Sequence, residues 1–83
     1  MTLKSEVRMY LKVGQFDVEK VTIPRSGKGI ALAEYRGRVG VYFTNYPAGE
    51  ERKKLVEKAE TWLTMNGFDV VRDGETAFLV RRL

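Results

Sequence analysis

The stretch Ala48 to Asn66, AGEERKKLVEKAETWLTMN, constrains this chain more than any other. At 3.6 residues per turn, Ala48, Leu55, Val56, Ala59, Trp62 and Leu63 share one face. Glu50, Lys53, Lys54, Glu57, Glu60, Thr61 and Thr64 share the other. Pro47 donates no backbone hydrogen bond and suits a helix start, and Glu50 and Glu51 suit the positive end of the helix dipole. Asn66-Gly67 supplies a left-handed stop, with Phe68 placed to fold back over the last turn. Such a helix must bury its apolar face, and the rest of the chain reads as sheet.

Residues 6–13, EVRMYLKV, alternate in the manner of a strand, with Val7, Met9, Leu11 and Val13 on one side. As a helix, Val7 and Leu11 align with Leu3 while Met9 and Val13 point away. Alternation is therefore preferred, with Gly14-Gln15 as a type II′ turn. That turn sets Val13 opposite Phe16, Lys12 opposite Asp17, and Leu11 opposite Val18. The second strand then covers 16–23, with a bulge near Glu19-Lys20, and Pro24 ends it. Residues 25–29, RSGKG, form a basic connection. Strands follow at 30–35 and 39–44 around a turn at Gly37.

After the helix, residues 68–72 and 76–82 flank Asp73-Gly74, a type I′ hairpin signal that would pair Arg72 with Glu75. Both faces of this hairpin are partly apolar, which predicts a central position or cover on both sides. The expected fold is one small α+β domain spanning 1–83, a mostly antiparallel sheet on one amphipathic helix, in the order β-β-β-β-α-β-β.

Inventory limits the chemistry. Neither histidine nor cysteine is present, which excludes a Ser-His-Asp triad, an imidazole base, a thiol nucleophile, and metal sites built on those ligands. The acidic pairs Glu50-Glu51 and Glu57-Glu60 fall on the helix surface, where solvated charge is their expected role. The reading is a protein that is not an enzyme and holds no metal or cofactor. The N-terminal residues carry charge throughout and form no signal peptide, and no run approaches the roughly 20 apolar residues a membrane span needs. A cytoplasmic location is expected.

Lys and Arg number 15 against 11 Asp and Glu, a net of +4, compatible with a polyanionic partner. The Gly27-Lys28 step lacks the surrounding residues of a phosphate loop, since Thr22 and Gly29 stand where glycine and a hydroxyl residue belong. Basic residues recur at loops instead: Arg25 and Lys28, then Arg36 and Arg38 around Gly37. Phe16, Phe43, Trp62, Phe68 and Phe78 pattern as core, and Tyr10, Tyr35, Tyr42 and Tyr46 as a more exposed set.

The run Trp62 to Arg72 resembles the helix-to-strand passage of HicA-type RNA-binding toxins, where a helix ends in Gly-Phe before a Val-Arg strand. Thr76 and Ala77 stand where that family's histidine is expected, so the resemblance implies no toxin activity.

Two functions follow as expectations. One is a small nucleic-acid-binding or regulatory protein in which Arg25, Lys28, Arg36 and Arg38 meet phosphates of DNA or RNA and Tyr35 or Tyr42 adds base contact. The other is a protein-interaction module, either a homodimer or a small inhibitor or adaptor docking on a larger protein.

Overall fold

A computed structural model describes residues 2–18 and 29–83. The expected second strand, its bulge, and the basic connection that holds Arg25 and Lys28 fall largely outside the described residues. The elements in chain order are α1 (Leu3–Val13), β1 (Ala31–Tyr35), β2 (Arg38–Tyr42), α2 (Glu50–Met65), β3 (Phe68–Arg72) and β4 (Ala77–Arg82). The α+β class expected from the sequence holds. The element order does not, because the first segment is a helix.

Three devices make α1 a helix where alternation suggested a strand. Thr2 caps its start, the hydroxyl accepting the Ser5 N–H at 3.1 Å. Leu3, Val7 and Leu11 form a buried stripe at helical spacing, while Met9 and Val13 are 43% and 68% exposed. The end is a Schellman motif rather than a hairpin turn. Gln15 takes φ 66°, and the Phe16 N–H reaches back to the Leu11 carbonyl at 2.9 Å. The expected pairings of Val13, Lys12 and Leu11 with Phe16, Asp17 and Val18 are therefore absent. Val18 instead makes an isolated parallel bridge to Ile30.

The sheet is four-stranded and antiparallel in the order β1-β2-β4-β3. Between β1 and β2, Arg36 and Gly37 make a two-residue turn with φ of 48° and 77°, the type I′ signature. The β3–β4 connection differs from the expected two-residue turn. Residues 73–76 form the loop, the Asp73 N–H bonds the Ala77 carbonyl at 3.0 Å, and Arg72 pairs with Phe78 instead of Glu75. The register thus moves by three residues. An odd shift exchanges the faces, so Phe68 and Val70 share a face with Phe78 and Val80, while Val71, Ala77 and Leu79 take the other.

Both helices lie on one face of this sheet. Leu32, Val39, Val41, Phe43, Phe78 and Val80 meet Val7 and Leu11 of α1 and Val56, Ala59 and Leu63 of α2 in one buried cluster. Ion pairs fasten the layers, Arg72 to Glu60 of α2 at 3.1 Å and Arg82 to Glu6 of α1. The helix expected over 48–66 spans 50–65, starting later than Pro47 suggested and ending as expected. Gly49 caps its start, Asn66 caps its end with its side-chain amide on the Trp62 carbonyl, and Gly67 has φ 91°.

Its apolar face is narrower than the sequence suggested. Val56, Ala59 and Leu63 are buried, Leu55 and Trp62 are half-buried, and Ala48 is exposed ahead of the helix. Trp62, expected in the core with Phe16, Phe43, Phe68 and Phe78, is only half-buried. It leans on the end of α1, donating its indole N–H to the Tyr10 carbonyl at 2.8 Å.

Candidate nucleic-acid interface

With both helices on one side, the opposite face of the sheet has no described element over it. Of the final hairpin, β4 is central and β3 is an edge strand, and the described elements cover β4 on one side. Three cross-strand rows make the open face. Ala31, Tyr42 and Ala77 form the first, Ala33, Gly40, Leu79 and Val71 the second. The third has Tyr35 opposite Arg38 on β1 and β2, and Arg81 opposite Asp69 on β4 and β3.

The structure gathers three of the sequence-predicted residues at one end of this face. Tyr35 and Arg38 are cross-strand partners at the mouth of the β1–β2 turn, and Arg36 is the first turn residue. Tyr35 is 67% exposed, and the Arg36 guanidinium lies 5.3 Å from its ring centroid, a cation–π arrangement that holds both outward. Among the described residues neither Arg36 nor Arg38 has a carboxylate partner. Their charge is available to an external anion. Tyr42 lies on the same face at the far end of β2, separated from Arg38 by Gly40.

Tyrosine 42 lies over Gly40. A Cβ on Gly40 would come within 2.7 Å of the Tyr42 ring carbons, so glycine is what lets the ring settle along its own strand. Arg81 is the cation that sequence reading left unassigned to this site. It flanks a shallow depression of about 190 Å³ with Arg38, Val71 and Leu79, and it is neutralised by Asp69. Val71 and Leu79 were equally missed, because the assumed turn placed them on different faces. The true register sets them side by side.

A separate groove of about 530 Å³ lies on the helical layer, where Gly14, Phe16, Trp62 and Met65 meet Lys54 and Lys58 of α2. Met65 is 76% exposed there, and Lys58 sits 5.9 Å from the Phe16 ring centroid. Glu57 shares this rim, so its charge is mixed. Among the described residues there is no group of three acidic side chains placed to hold a metal, and no helix is long and apolar enough to cross a membrane.

Among the described residues, this face presents a cationic turn, two tyrosine rings and an apolar floor. No protein-family model, curated protein or solved structure matches this chain.

Proposed function

We propose that this is a small, non-catalytic nucleic-acid-binding or regulatory protein that meets the phosphate backbone through the β1–β2 turn and the sheet face beside it. One observation carries the reading. Among the described residues Arg36 and Arg38 stand without carboxylate partners beside a sheet face that no described element covers, and Arg36 does so at φ 48°. That left-handed conformation costs an arginine about 1–2 kcal/mol, and asparagine or glycine adopts it more readily. A long cation kept at a strained turn position supports a role for its charge. Arg25 and Lys28 belong to the same proposal and lie outside the described residues.

Fluorescence polarisation with DNA and RNA at roughly 50 and 200 mM salt tests the reading, since several phosphate contacts impose a steep salt dependence. Replacing Arg36 and Arg38 together by alanine should lower the salt slope by about two while leaving the fold intact. Absence of binding at the lower salt refutes it.

A second reading, a protein-interaction module, draws on the groove between the end of α1 and α2, where Phe16, Trp62 and exposed Met65 present apolar surface. Light scattering at two salt concentrations separates the two. A salt-insensitive dimer without nucleic-acid affinity favours the second.

A further inference from the structure

The middle row of the open face, Ala33, Gly40, Leu79 and Val71, crosses all four strands without a charged or hydrogen-bonding side chain. Alanines 31 and 77 and the Tyr42 ring bound it on one side. Tyr35, Arg38 and Arg81 bound it on the other. Gly40 allows the ring to lie low, so the floor stays shallow. Asp69, the one carboxylate in these rows, is taken up by Arg81. Among the described residues the floor is therefore neutral, and the charge without a carboxylate partner stands at one end, on Arg36 and Arg38.

We propose that this face binds single-stranded nucleic acid in preference to duplex, with bases laid on Tyr42, Leu79 and Val71 and phosphates held by Arg36 and Arg38. The inference rests on the nucleic-acid reading above and names its substrate class. Width decides against insertion of this sheet into a duplex major groove. Four strands at about 4.8 Å spacing span about 14 Å between the outer strand axes before side chains are added. A B-form major groove is only about 12 Å wide and admits a helix or a two-stranded ribbon.

A single strand has no such limit. Its bases turn outward and stack on apolar or aromatic surface while its phosphates follow the cations. From Arg38 to Tyr42 the strand advances about 13 Å, room for two or three nucleotides. Base faces want a neutral floor and phosphates want free cations, and the face supplies both in separate places. Stacking on a base and pairing with a phosphate do not use the 2′-hydroxyl, so DNA and RNA strands should bind alike.

The test uses the full chain and three labelled probes of roughly 10 nucleotides, a thymidine strand, a uridine strand and a mixed-sequence duplex, at low salt. Both single strands are expected to bind at least about tenfold more tightly than the duplex. Tyr42→Ala should weaken strand binding by about tenfold or more, Tyr42→Phe should restore it, and neither should change duplex binding. If Tyr42→Ala fails to fold by circular dichroism, Val71→Glu serves instead. Val71 is on an edge strand and 53% exposed, and a carboxylate there should abolish strand binding.

Duplex binding as tight as strand binding, or strand affinity indifferent to Tyr42→Ala and Val71→Glu, overturns the single-strand assignment and leaves backbone binding standing. Failure of all three probes overturns both. A dimer that protects Tyr42 and binds no strand does the same.

Discussion

Substituting Gly14 by alanine should change sign in its effect on stability according to what stands at position 62. Gly14 has φ −76° and ψ 5°, a conformation open to any residue. On backbone grounds alone, alanine there should stabilise the fold by about 0.4–1 kcal/mol by restricting the unfolded chain. Space forbids it. A Cβ at Gly14 would stand 2.8 Å from the Trp62 Nε1 and 2.9 Å from Cε2, with the Phe16 ring at 3.0 Å. The indole is not free to yield, since its N–H is bonded to the Tyr10 carbonyl at 2.8 Å.

Overpacking of this kind costs about 1–3 kcal/mol, so Gly14→Ala should destabilise the wild-type protein by about 1–2 kcal/mol net. Trp62→Ala alone should cost about 2–3 kcal/mol, below the range for a fully buried tryptophan because this one is half-buried. In the double variant the clash with the indole is gone, and Gly14→Ala should become neutral or mildly stabilising. The resulting coupling of about 1–2 kcal/mol is well above the error of a double-mutant cycle read by urea denaturation. Additive effects within about 0.5 kcal/mol would mean that the indole does not fill the space beside Gly14, and the account of how α2 braces α1 would fail.

Other substitutions check the remaining elements. Gln15→Gly should stabilise by about 0.5–1 kcal/mol by relieving a left-handed residue in the Schellman motif, seen as a higher urea midpoint with an unchanged slope. Arg36→Asn should raise the thermal midpoint by a few degrees while weakening nucleic-acid binding. A loss of both would mean that the Arg36–Tyr35 contact outweighs the turn preference. Phe78→Ala, at a fully buried position of the central strand, should cost about 3–5 kcal/mol and leave a poorly folded chain by circular dichroism.

What could be read from the sequence tracks how local its cause is. The ends of α2 and the Arg36-Gly37 turn follow from short-range chemistry and were legible. The first helix was misread because the alternation of EVRMYLKV outweighed the stripe of Leu3, Val7 and Leu11; the helix leaves Met9 and Val13 exposed, and its cap, Thr2, lies outside that window. The Asp73-Gly74 signal named the right turn region with the wrong length. Three residues of register then scrambled which apolar side chains face the helices. That error hid the candidate site, since an open face exists only once Phe78 and Val80 are assigned inward and Val71 and Leu79 outward. Tyr42 is half-buried, whereas Tyr35, Arg36 and Arg38 are exposed, as the sequence suggested. Their grouping at one end of the face depends on pairings made over long sequence separations.

The order β1-β2-β4-β3 puts the last strand of the domain beside β2, in the middle of the sheet. During synthesis β2 therefore emerges long before its second neighbour. The backbone edge of β2 from Val39 to Tyr42 has no native partner until β4 arrives after the whole of α2 and β3. Pairing across that separation is slow to close, and an unpaired apolar edge recruits other chains in the meantime. A chain stopped after β3 would hold most of the residues and lack the centre of the sheet. Such nascent fragments should be the ones that chaperones hold and proteases clear.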